Sequence, residues 1–362
     1  MLKDSLPDRV PGVTFDLDLS NAGINIPFVA KGNNFMPKST RLFLTVIATA
    51  LLLSGFAPGI SAQRNPPMPS QQTDSQKDSL YATFSDLKRV PVAENQKLAY
   101  EAGKEYLRRY GGDNSDPDVK VVRKFVSEYE RVKGEFNIDT AYGAKNYPKT
   151  FEIGRSLLQK QPENFYFLSI LVEAGYENVM AGNPSLNAET VGYAKRAIQL
   201  VDDGKVIKAD PFKSIEFGRG FLNFALGELL KDQSPAEAAA AFLKAVQADS
   251  PYRSEPIPYH RLGAAILKGE FAQLSAEYNE KYGAKNASSE QKAMFDRINH
   301  LVERAIDAYA RAVALSTNPQ KQDARNKILA QLTALYRSFH NDSDAGLDEL
   351  IATVLSKPLP LP

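Results

Sequence analysis

From about residue 80 to residue 340 the chain is a succession of amphipathic segments, nearly all closed by a proline, a glycine, an asparagine or an aspartate. Apolar residues recur three and four positions apart, the spacing of one helical face, and no convincing run alternates with period two. Ala93 to Tyr110 places Leu98, Ala102, Tyr106 and Leu107 on one stripe and stops at Gly111-Gly112. Asp116-Pro117 then opens a segment in which Val121, Val122, Phe125, Val126, Tyr129 and Val132 keep the spacing. Further segments run over 147–160, 163–181, 187–201, 211–231, 235–248, 258–282, 288–315 and 320–339. The expected class is all-α.

Antiparallel helix pairs at a steady interval call for a repeat reading. Tyr259-x-x-Leu262-Gly263-x-x-Ile266 puts an aromatic, a Leu-Gly pair and a large apolar residue on one helix. Ala305-x-x-x-Tyr309-x-x-Ala312-x-x-Leu315, followed by Pro319, is the complementary second helix. Leu226-Gly227-x-x-Leu230 with Ala238-x-x-x-Phe242-x-x-Ala245, closed by Pro251, is another such pair, and Phe165-x-x-Leu168-Ser169 with Phe151-x-x-Gly154 is a weaker one. Over roughly residues 90–340 the chain resembles a tetratricopeptide-repeat (TPR) protein of an exported bacterial type. The resemblance implies one domain over 80–357, a right-handed superhelical array of antiparallel helix hairpins. Residues 267–304 interrupt one repeat, and their continued apolar spacing predicts an elongated hairpin with its tip near Tyr282 to Ala287. Small residues at Gly263, Ala305 and Ala312 would let helices approach, while Tyr259 and Tyr309 fill the gaps.

TPR proteins bind proteins or peptides in the groove lined by first helices. Carried over residue by residue, that groove is Phe224, Glu228 and Lys231 on one repeat and His260, Ala264 and Lys268 on the next. Tyr166, Ile170 and Glu173 are the counterparts on the weaker upstream repeat. Aromatics there would supply buried area and charges would fix register. The Lys and Asn pattern of carboxylate-clamping members is missing.

The N-terminal stretch supplies an address. Lys38 and Arg41 precede the apolar run Leu42 to Leu53, and Ile60-Ser61-Ala62 offers a cleavage point before Gln63. This reads as a secretory signal over 36–62, because twelve residues fall short of the roughly 20 needed to span a bilayer. Translation is expected to begin at Met36, with residues 1–35 an upstream over-read. The competing reading is a retained single-pass anchor, the one case in which a membrane is a partner. Residues 63–79, rich in Pro, Gln and Ser, are expected to be a flexible spacer, and 358–362 a proline-rich tail.

Charge narrows the partners. The chain carries 44 Lys and Arg against 43 Asp and Glu, and discounting residues 1–62 leaves 39 of each. A nucleic-acid binder needs a cationic surplus to displace counterions, so no nucleic acid is expected. Without cysteine there is no disulfide, thiolate or Cys-ligated metal. His260, His300 and His340 lack a second histidine one turn away, and Gly218-Arg219-Gly220 lacks the third glycine of a dinucleotide loop. No metal, cofactor or catalytic residue is expected. The alternatives to a binding scaffold are an envelope enzyme acting on polysaccharide through Asp/Glu pairs, watched for at Glu173, Glu216 and Glu228, and a membrane-anchored assembly factor.

Overall fold

The computed structural model describes residues 69–282, 288–360 and 362, and among them every regular element is helical. The signal segment, with Ala62 and Gln63, lies outside the described residues. No described helix is long and apolar enough to cross a membrane. Contacts divide the described chain into two compact units, residues 69–211 and residues 212–362.

The first unit contains α1 (Pro69–Arg89), α2 (Ala93–Tyr110), α3 (Pro117–Gly143), α4 (Tyr147–Lys160), α5 (Phe165–Met180) and α6 (Asn187–Asp202). Successive helices from α1 to α5 pack on each other, as do α5 and α6, and α3 also reaches α5. Starts follow capping chemistry: the Asp116 carboxylate accepts from Asp118 N at 2.7 Å, and Asn164 accepts from Phe167 N at 3.2 Å. The expected spacer over 63–79 is helical from Pro69 onward. Leu80, Tyr81, Phe84 and Leu87 pack in the α1–α3 core, with Phe84 fully buried, and once that stripe nucleates a helix, added turns cost little. Lys77 ties the N-terminal half of α1 to Asp116.

The apolar face of α2 keeps Ala102, Tyr106 and Leu107 of the expected stripe but not Leu98. Leu98 is 49% exposed, whereas Ala99, Gly103 and Tyr106 are buried. A Cβ at Gly103 would stand 2.9 Å from Val126 Cγ2, so the missing side chain is what admits α3. Val121 and Val132 on α3 are likewise exposed, and Val119, Val122 and Val126 take the inner face.

The second unit contains α7 (Ile215–Leu230), α8 (Pro235–Gln247), α9 (Pro256–Ile266), a π turn (Leu267–Phe271), α10 (Ala272–Tyr282), α11 (Ser289–Leu315), α12 (Gln322–Phe339) and α13 (Leu347–Thr353). The residues expected to pack hairpins are inside: Leu226, Ala238, Phe242, Ala245, Tyr259, Leu262, Ala305, Tyr309 and Ala312 are all buried. Gly227 meets the Phe242 ring so closely that a Cβ would lie 2.5 Å from it, and a Cβ on Gly263 would lie 3.3 Å from the Ala305 carbonyl and the Tyr309 ring. Each fully buried Phe or Leu contributes about 1.5–3 kcal/mol.

The elongated hairpin has arms formed by α9 to α10 on one side and the 27-residue α11 on the other. Its first arm is not one straight helix. At Gly269 the backbone leaves helical geometry (φ −92°, ψ −106°), because α8 comes in so near that a Cβ there would be 2.7 Å from Ala236 N. Residues 283–287, at the expected tip, lie outside the described residues. The proline-rich end is held at its start: Arg311, itself 5% exposed, donates from Nη2 to the carbonyls of Lys357 and Pro358, both at 2.9 Å. Helix α13 was not foreseen; seven residues are too few to display a period, and its start rests on Gly346 at φ +88°.

Candidate functional site

The residues expected to line a binding groove fall into one set in each unit. In the second unit Phe224 and Glu228 sit on α7 and Lys231 caps its C-terminus; the helix is started by Ser214, whose hydroxyl accepts from Phe217 N at 3.0 Å. His260 and Ala264 sit on α9, and Lys268 sits in the π turn.

The polar members are spent on neighbouring helices. The Glu228 carboxylate is 2% exposed and receives Lys231 Nζ at 2.8 Å on one oxygen and Arg261 Nε at 2.7 Å on the other. Arg261 thus joins α9 to α7. Lys268 Nζ reaches Asp232 at 2.8 Å across the same gap. His260 Nε2 donates to Gln331 Oε1 at 2.9 Å, joining α9 to α12. Burial holds the His260 imidazole below its usual pKa, with the Gln331 bond opposing, which favours the neutral ring. Phe224 is packed near Phe242 and Tyr252 rather than presented to a ligand, while Ala264 is half-buried.

Beside His260 a cleft of about 320 Å³ opens between the start of α9 and the α11–α12 connection. Ile257, Leu315, Ala324 and Ile328 supply its apolar lining, and Ser254, Thr317, Asn318 and Lys321 are among its polar residues. A cleft of this volume lies at the small end of the range of ligand-binding pockets.

In the first unit Tyr166, Ile170 and Glu173 line one face of α5, started by Asn164. Ile170 is buried among packed side chains. Tyr166 donates its hydroxyl to Asp139 on α3. One turn further along, Tyr142 of α3 and Tyr147 of α4 both donate to Glu177, each at 2.9 Å. Glu173 lies among these groups. Burial, followed by the charge of Glu177, pushes its carboxyl up to about 8 against a bond with Tyr142 that acts the other way. Burial also raises Asp139, opposed by the Tyr166 bond. No Lys, Arg or His is among the groups acting on Glu173.

Reasoning from sequence missed Asp139, Tyr142, Glu177, Asp232, Arg261 and Gln331. Spacing places the cluster residues on helix faces, but their partners are 27 to 71 positions away, and no single-helix pattern encodes such a pairing. Among the described residues no group of three or more His, Asp or Glu is arranged to hold a metal ion. No known protein family, curated protein or solved structure matches this chain.

Proposed function

We propose that the chain is an exported, non-enzymatic scaffold whose helix hairpins continue into a right-handed TPR-like superhelix and bind a protein or peptide. The cleft beside His260 carries this reading: an apolar floor with a polar rim suits an anchored side chain flanked by peptide backbone. The cross-helix ties in the same unit support it, because a row of first helices locked to one another is a pre-ordered surface, and pre-ordering removes part of the entropic cost of binding. Export rests on the Lys38 to Ala62 segment, and a retained Leu42–Leu53 anchor would make the same scaffold a membrane-tethered assembly factor.

Selection of displayed peptides on the full chain tests the site. Ala324→Trp fills the cleft while leaving the Glu228 ties intact, and it should weaken selected peptides at least tenfold. Undiminished binding would remove the cleft from the proposal.

One observation favours a second reading. A carboxyl raised by burial and by a neighbouring carboxylate is an arrangement general acids use, and Glu173 beside Glu177 has that placement. Under that reading the chain would hydrolyse an envelope polysaccharide, and Glu173→Gln would abolish turnover. Against it, Glu228 is fully engaged in ion pairs and Glu216 pairs with Arg219 at 3.2 Å.

A further inference from the structure

Arg311 on α11 is a buried guanidinium, 5% exposed, and its hydrogens are divided between two tasks. Nε donates to Asp307 Oδ1 at 2.6 Å, one turn back on the same helix, which fixes the plane of the group and balances its charge. Nη2 bonds the carbonyls of Lys357 and Pro358, each at 2.9 Å, with Asp307 Oδ2 at a looser 3.4 Å. In the contact with 357 and 358 the donors come from the site and the acceptors from the bound segment. This asymmetry suits a proline-containing chain, because proline has a carbonyl to be served and no N–H that asks for an acceptor. The Lys357 N–H is already used, donating to the Val354 carbonyl at 3.2 Å. Lys357 itself is extended (φ −96°, ψ 150°), the conformation that a following proline imposes and that a Pro-Leu-Pro run continues.

We infer that Arg311 is a docking site for a proline-rich extended segment of a partner protein, and that residues 357–360 are its tethered resident, which such a segment displaces. Two features of the resident support exchange. First, it is held through its backbone. Lys357 and Pro358 are exposed, so Arg311 reads two carbonyls and the run of the chain, which any segment of this type shares. Second, the fixed part of the chain ends before it. Val354 is buried, and Ser356 Oγ closes the preceding turn on the Thr353 carbonyl at 2.6 Å, so 357–360 can leave without unpacking α13.

Departure without replacement would strand a buried guanidinium with Asp307 alone, so the site is emptied only in exchange for another pair of carbonyls. Leu359 and Pro360 are half-buried, so an apolar residue and a second proline follow the clamped pair, and a partner segment needs the same order. Arg311 stands one turn before Leu315 of the cleft beside His260, and the inference holds whether or not that cleft binds a peptide.

Anisotropy of a labelled, end-capped Lys-Pro-Leu-Pro-Leu-Pro peptide tests the inference, on the full chain and on a chain of equal length with Gly-Ser repeats at 357–362. A short tether presents the resident at an effective concentration of about 1 mM, so a peptide with a Kd below about 100 μM should bind wild type about tenfold or more weakly than the Gly-Ser chain. In the Gly-Ser background Arg311→Lys keeps the charge but loses the fixed fork, and it should weaken the peptide about tenfold. A Lys-Ala-Leu-Ala-Leu-Ala peptide should bind less well, and Ala324→Trp should change nothing. No binding to the Gly-Ser chain, equal binding to both chains, or indifference to Arg311→Lys or to the prolines overturns the inference. Wild-type dimers that the Gly-Ser chain does not form, without peptide binding, would put a second copy in the site and overturn the partner assignment. If a variant does not fold, NMR of the wild-type chain decides: saturating peptide should move the Leu359 N–H to its random-coil position, and a resident that stays ordered overturns the inference.

Discussion

The Glu228 triad allows a prediction about which partner matters most. Desolvation is concentrated on one member: Glu228 is 2% exposed, while Lys231 and Arg261 keep 30% and 24% of their side-chain surface. Removing a cation strands part of a buried carboxylate; removing the carboxylate lets two cations turn to water. Breaking a buried pair from one side costs about 3–5 kcal/mol when nothing else serves the remaining charge. In Arg261→Met one Glu228 oxygen keeps Lys231 and the other is left bare, which scales the cost to about 2 kcal/mol. Glu228→Gln keeps the volume and an accepting carbonyl, so about 1 kcal/mol is expected. These correspond to increases of about 30-fold and about fivefold in the local opening constant. The chain contains no tryptophan, so exchange of α7 and α9 peptides is the suitable unit-resolved measurement. The double variant should fall short of the summed effects by about 1 kcal/mol, because both substitutions remove the same bond. A Glu228→Gln cost equal to or above that of Arg261→Met would refute the reasoning, as would strict additivity.

Two glycines, one on α7 and one on α9, should respond differently to alanine. Gly227→Ala drives a methyl into the Phe242 ring and should cost about 1–3 kcal/mol in urea unfolding. Gly263→Ala meets its neighbours at 3.3 Å and gains about 1 kcal/mol of helix propensity, so the midpoint should barely move. Ending the chain at Ser356 removes both carbonyls that Arg311 Nη2 binds and leaves a buried guanidinium with Asp307 alone, so a loss of about 2–4 kcal/mol is expected from the same assay. His260 is held neutral by burial, so the unfolded chain takes up a proton that the folded ring resists. Stability of the second unit should therefore be full above about pH 6.5 and fall on acidification below it, read as loss of α9 and α12 protection, and His260→Gln should flatten that trend.

Helix placement was largely legible because the boundaries are written in local chemistry. Asp116-Pro117, Asn146 before Tyr147-Pro148, and Pro235 stop or start helices by capping or by a fixed φ, and those bounds match the observed ones closely. The phase of a helix was less legible where its inner face is made of small residues. Hydropathy points to Leu98, but Ala99 and Gly103 allow the nearer approach, and packing decides. The residue types at 228, 231, 260 and 268 were legible, whereas their engagement was not. Arg261 looks like an ordinary surface charge beside Leu262 until α7 is brought alongside it. The Glu173 cluster depends on three helices at once, and its chemistry exists only after α3, α4 and α5 have met.

The π turn at Leu267–Phe271 acts as a phase shifter in the long arm. A π turn carries one residue more than the α-helix it interrupts, and each residue of a helix turns the face by about 100°. Reading α10 as the direct continuation of α9 therefore misassigns every side chain beyond Phe271 by about that angle. Deleting one residue from this turn would splice the two helices into one smooth rod and rotate Leu274 and Tyr282, now buried, away from the positions they occupy. Adding a whole heptad to α10, with seven residues to match in α11, would preserve every contact below it. The arm can thus be lengthened in steps of seven and is intolerant of a step of one, so length variants of this hairpin would arise by heptads.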